Sequence, residues 1–261
     1  MLRARGASTI ASVDVVRHTE RLARRVARLE DTSLRFDYVR HELQRIGADG
    51  VLALLAVLHA PEAVRRAGLG ELALAVVVGL AHPECASLRE AVARLAVQRG
   101  DQAAVRLVQR DAGRAWMASS DDRTPTPATR EGWPLTLGER KSLARRRDRK
   151  LIARALGDPS PEVVRVLLGN PALTEDDVVR LCARRPVPSA VLREVFCHPR
   201  WVVRPRVRAA LVKNPWTPLD VGLALVPHLG AHDAREAAAL EDLSPVVRHA
   251  CRCLRQPALV H

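Results

Sequence analysis

With 261 residues, 48% of them hydrophobic but only 3% aromatic, the chain can bury one or two cores, and these must be built from Leu, Val and Ala. That composition suits packed helices and argues against a β-sandwich, whose strands favour β-branched and aromatic residues. The net charge of +13 excludes an acidic protein and admits a polyanionic partner. Lysine occurs only at 141, 150 and 213, so arginine spread over solvated helix faces by coding bias would give the same total.

In chain order, Ser12–Leu29 sets Val15, Val16, Leu22, Val26 and Leu29 on one stripe and predicts a first helix. Leu34–Ile46 predicts a second, ended by Gly47, and Gly50–His59 a third, stopped by Ala60-Pro61. Glu62–Ala81 follows, broken at Gly68 or Gly70, and stops at His82-Pro83. Ser87 and Glu90 have the spacing of a capping box for a helix running through Val97 to Gly100. Residues 101–110 form one more short helix. Segments 51–58 and 72–81 are apolar almost all round and belong in the middle of a helical stack.

Leu69–Ala81, the most apolar stretch, is too short to cross a bilayer, so no membrane span is expected. Met1–Val16 lacks the continuous apolar run of a secretory signal. The cysteines at 85, 182, 197, 251 and 253 read as mostly buried free thiols. Together these lead to the expectation of a cytoplasmic protein.

Residues 117–135 carry two Thr-Pro steps and almost nothing to bury, which predicts a linker between an N-terminal helical domain, 1–116, and a second domain, 136–261. Thr136-Leu-Gly-Glu139 then reads as a capping box opening a basic helix over Glu139–Arg147. A short helix with Leu151, Ile152, Ala155 and Leu156 on one face follows, up to Asp158-Pro159.

From there prolines punctuate the chain in two interleaved series. Pro159, Pro186, Pro215 and Pro245 precede or open helices, and Pro171, Pro199, Pro227 and Pro257 close them; both series repeat every 27 to 30 residues. Before the X-Pro steps, apolar residues pair four apart: Val163 with Leu167, Val178 with Cys182, Val191 with Val195, Val207 with Leu211, and Leu219 with Leu223. Ser160, Thr217 and Ser244 before Pro, and Ser189 after Pro188, are expected N-caps; Thr174 caps ahead of Glu175-Asp176-Asp177. Two helices in a period near 28 form the pattern of an α-solenoid, so the expected fold class is all-α, a helical domain followed by a HEAT-like solenoid.

The steps Asp158-Pro-Ser-Pro-Glu-Val-Val-Arg165, Asn170-Pro-Ala-Leu-Thr174 and Asn214-Pro-Trp-Thr-Pro-Leu219 resemble the leucine-rich repeat variant, a bacterial α-solenoid repeat, and the region is similar to bacterial HEAT-like repeat proteins of the armadillo type. Leu135-Thr-Leu-Gly-Glu-Arg-Lys-Ser-Leu-Ala-Arg-Arg146 resembles the segment before the solenoid in one such group. The resemblance covers 135–257. Its departures are a longer period and the lack of the iron–sulfur cysteine cluster that some members carry. It implies a fold, and an interaction role by analogy.

The sharpest candidate site is the basic run Arg140, Lys141, Arg145, Arg146, Arg147, Arg149, Lys150 and Arg154. If the helix continues through it, residues 141, 145 and 149 share one stripe that could track phosphates; Leu143, Ala144, Leu151 and Ile152 equally fit an ordinary buried face opposite a solvated one. Trp201 and Trp216, beside Arg200 and Arg204, would make a partner-binding edge if exposed, and plugs between adjacent turns if buried. His249-x-Cys251-x-Cys253 has the wrong spacing for one metal ion on a helix, and no nucleophile elbow, phosphate loop or dinucleotide motif occurs. DNA glycosylases built on HEAT-like solenoids need an Asp and aromatics over a groove, which cannot be assigned here. The expectation is a non-enzymatic protein–protein scaffold or adaptor without metal or cofactor; the alternative is a nucleic-acid binder using the arginine-rich face.

Overall fold

The computed structural model describes residues 3–59, 68–109 and 135–254, with side chains from residue 14 onward, and no strand occurs among them. Two compact units separate, one within Met1–Gln109 and the other within Arg110–Pro257. All of the expected linker except Leu135 lies outside the described residues, as do Pro61, Glu62 and Pro257.

The first unit contains α1 (Arg3–Ala27), α2 (Thr32–Leu58), α3 (Leu69–Ala81), α4 (Ala86–Gln98) and α5 (Gln102–Val108). Asp31 caps α2 by accepting from the Leu34 N–H at 2.9 Å. The expected stop at Gly47 is a kink inside α2, where glycine takes φ +64°, a conformation that side chains disfavour. Helix α3 lies at the centre: Leu69 and every residue from Leu72 to Ala81 is buried. It stops at His82, whose extended backbone precedes Pro83.

The expected capping box at Ser87 does not form. Helix α4 begins one residue earlier, at Ala86, so Ser87 is already inside the first turn. Instead Arg89, 7% exposed, donates to the Leu80 carbonyl at 2.8 Å and satisfies the end of α3.

The second unit contains α6 (Leu137–Ala144), α7 (Arg149–Ala155), α8 (Pro161–Leu168), α9 (Glu175–Ala183), α10 (Ser189–Cys197), α11 (Pro199–Val202), α12 (Pro205–Lys213), α13 (Leu219–Leu225), α14 (Ala231–Ala239) and α15 (Pro245–Cys253). Helix α6 packs on α8, α8 on α10, α9 on α12, and α14 on α15. Helices α8, α10, α13 and α15 begin at 161, 189, 219 and 245; α7, α9, α12 and α14 begin at 149, 175, 205 and 231. Pro161, Pro205 and Pro245 sit in the first turn of their helices, where the missing N–H costs nothing.

The Thr136–Glu139 capping box forms, and Thr174 forms another with Asp177. Four of the expected apolar pairs are buried in full, from Val163 with Leu167 to Val207 with Leu211. The fifth is shifted by two residues: Leu219 and Leu223 are half-buried, and α13 buries Val221 and Leu225 instead. Thr217 and Ser189 are not caps either. Pro188 and Pro218 hold the N-cap positions, while the Thr217 hydroxyl donates to the Leu211 carbonyl at 2.6 Å. Pro199 both follows α10 and opens α11.

Candidate interaction surfaces

The polar side chains buried in the second unit are Asp158, Asn170, Asp177, Asn214, Thr217, Asp220 and Ser244, and each is engaged in holding backbone or another helix. Asn170 donates to the carbonyls of Ala144 and Arg146 at 2.9 and 2.8 Å and accepts from the Ala172 N–H at 2.9 Å. Asn214 repeats this bracket, donating to the carbonyls of Cys182 and Arg184 at 2.7 and 2.9 Å and accepting from the Trp216 N–H. The Asn-Pro steps are therefore clamps on the end of an earlier helix, satisfying carbonyls that have no partner within it.

Arginines reach the same distance along the chain. Arg149 forms a two-pronged pair with Asp177, both contacts 2.8 Å; Arg193 does so with Asp220 at 2.7 and 2.9 Å; Arg165 does so with Glu194 at 2.8 and 2.6 Å. Arg184 donates to the carbonyls of Leu156 and Gly157, and Arg200 to those of Asn170 and Leu173. The Arg149 guanidinium holds the Asp177 carboxyl well below the ordinary aspartate range, against burial and with help from Thr174. Burial in an apolar setting drives the Cys182 thiol upward, so it is an inert core residue.

The continuous basic helix is corrected. Helix α6 ends at Ala144, Arg145–Arg147 form a turn, and Asp148 caps α7 by accepting from the N–H groups of Lys150 and Leu151 at 2.7 and 3.2 Å. A cap of that kind fixes a new helix axis, so 141, 145 and 149 share no stripe. The eight basic candidates separate into two sets. Arg140 pairs with buried Asp158 at 2.6 Å, Lys141 with Glu162, and Arg149 with Asp177. Arg145, Arg146, Arg147, Lys150 and Arg154 are exposed and make no side-chain hydrogen bond or ion pair with the described residues.

Of the two readings of Trp201, exposed edge or buried plug, the structure has the plug, and Trp201 is removed from the candidate edge. Trp201 is 2% exposed and donates its indole N–H to the Leu168 carbonyl at 2.8 Å, so it plugs the interior. Arg200 lies over its ring, 4.3 Å from the centroid, which makes Arg200 part of the same brace. Trp216 is half-buried, and Arg204 is exposed at the start of α12. His198, at the X-Pro step before Trp201, has its Nδ1 enclosed without a partner; burial, then Arg200, lowers its pKa to about 4.

A surface that the sequence reading missed is an open groove of about 340 Å³ across α9, α12 and α14. Its floor is Val179, Ala183, Ala209 and Ala210, and Arg185, Arg206, Lys213 and Asp233 stand around it. Arg206 pairs with Asp176 at 2.6 Å, Arg185 with Asp242, and Lys213 with Asp233 at 2.7 Å and with Glu236. Burial alone would lower the Lys213 pKa, but hydrogen bonds to the two carboxylates outweigh it and raise it. His232, Asp233 and Glu236 come close enough together to hold a cation, yet both carboxylates already accept from Lys213. The groove left one trace in the sequence: alanines at 183, 209 and 210 where larger side chains would fill it.

Comparison with protein-family models, with curated proteins and with solved structures gives no match to this chain.

Proposed function

We propose that the second unit is an α-solenoid scaffold that binds a polypeptide segment of another protein in the α9–α12–α14 groove, and that it performs no chemistry itself. The reading of a stacked repeat rests on the helix starts 26 to 30 residues apart and on side-chain braces that span 26 to 32 residues. The observation that carries the function is the groove: a floor of small apolar side chains bordered by paired charges of both signs. Small floor residues leave room for an incoming apolar side chain, and a mixed-charge border suits the alternating polarity of a peptide. The buried polar side chains are meanwhile committed to braces, which is the economy of a structural repeat.

The test is a photo-activatable phenylalanine analogue placed at Ala183, which is exposed in the groove, and at Ala153, which is exposed on α7. The scaffold reading expects the same polypeptide to be crosslinked from Ala183 in repeated experiments and not from Ala153. It expects Ala210→Trp to abolish that crosslink while leaving the far-UV circular dichroism unchanged. Crosslinks that are absent, indifferent to position, or insensitive to Ala210→Trp would reject the groove as the binding site.

A further inference from the structure

We infer that the corner between α6 and α7 binds the phosphate backbone of nucleic acid without reading its sequence. Five cations, Arg145, Arg146, Arg147, Lys150 and Arg154, are exposed there and unpaired with the described residues. The only carboxylate within 145–154 is Asp148, which caps α7. Elsewhere in this unit arginine is repeatedly joined to an acid or to helix-end carbonyls, as at 140, 149, 165, 184, 193 and 200, whereas these five cations fall within ten residues of chain.

The corner is also held in place. Asn170, 2% exposed, ties down the carbonyls of Ala144 and Arg146 on either side of Arg145, and Arg149 is anchored to buried Asp177. The free side chains therefore leave a fixed backbone, which reduces what must be ordered on binding. Four of the five are arginine, whose planar fork matches phosphate oxygens two at a time.

Nucleic acid is favoured over an anionic membrane because a surface-lying segment needs apolar side chains presented beside its charges. Here Ala144 and Ile152 are buried and Leu143 and Leu151 half-buried. No aromatic residue occurs within 135–154 to stack on a base, so contact is to the backbone.

The experiment measures fluorescence anisotropy of the full chain with two labelled DNA duplexes of unrelated sequence, at low and moderate salt. Four to five phosphate contacts predict a log–log salt slope of about −4, a loss of roughly 250-fold between about 50 and 200 mM, and affinities for the two duplexes within about twofold. R145A/R146A/R147A should weaken binding at least about tenfold and make the slope shallower by about 3. K150E/R154E, on α7, should act in the same direction, and both variants should keep the wild-type circular dichroism. K141A, whose ammonium is already held by Glu162, should bind like wild type. No binding at low salt, a K141A defect as large as that of the triple variant, or co-sedimentation with phosphatidylserine vesicles but not duplex would each overturn the inference.

Discussion

Asp177 does two jobs with one carboxylate. It closes the capping box of α9 with Thr174 and receives both prongs of Arg149 from α7. Replacement by Asn keeps the volume and an acceptor oxygen for Thr174 but removes the charge that Arg149 pairs with. Because Arg149 is itself 57% exposed, solvent screens the pair, and D177N should cost about 1–2 kcal/mol, read from urea denaturation at neutral pH. The pH dependence follows from the direction of the shift. Folding lowers the pKa of Asp177, so its contribution is complete above the ordinary aspartate value of about 3.9 and is lost as pH falls toward the lower folded value. Wild type should therefore lose stability more steeply than D177N below about pH 4, and the two curves should converge in acid. Parallel acid limbs would mean that the carboxylate contributes nothing electrostatic to the fold.

At the scale of elements, Trp201 belongs to the four-residue α11 yet closes the C-terminal end of α8 through its indole N–H, with its ring buried. W201F keeps most of the apolar area and strands the Leu168 carbonyl, which predicts a loss of about 1–2 kcal/mol. W201A also opens a cavity and should cost about 3–5 kcal/mol, so the two variants separate hydrogen bond from packing in a thermal melt. W201F should also remove a blue-shifted component from the tryptophan emission, since this indole is sealed from water. The helices themselves were legible in sequence because their signals are local: X-Pro stops, the Thr136 and Thr174 boxes, and apolar residues four apart. The break at Arg145–Arg147 was not. Asp148 competes with helix continuation there, and Asn170 decides the outcome from 24 and 26 residues away. Trp201 likewise reads as edge or plug until the helix across from it is known, and the groove exists only where three helices meet. Of the proposed polyanion site, composition revealed the charge, while the division into braced and free cations required the partners.

For the second unit as a whole, the reach of each brace sets the expected pattern of unfolding. The side-chain bonds from Asn170, Arg149, Arg165, Arg184 and Arg193 join a helix to one about 28 residues away; the Arg185–Asp242 pair, 57 residues apart, reaches farther but is exposed and screened by solvent. Packing follows the same rule, with α12 touching α9, α13 and α14, and α15 touching α13 and α14. If the unit is a stacked repeat, its stability is a sum over neighbours, and damage should stay close to where it is made. Val207 in α12 and Val247 in α15 are both buried, at 0% and 5% exposure, and truncation of either to Ala should cost about 2 kcal/mol. Hydrogen exchange read by mass spectrometry should nevertheless separate them. V247A should raise exchange in α13 to α15 and leave α6 to α9 protected, because opening there breaks contacts on one side only. V207A should raise it on both sides, in α9 and in α13 and α14, because α12 is a link between them. Equal acceleration through α6–α15 from V247A would mean one indivisible cooperative core and would remove the repeat from the reading of this unit.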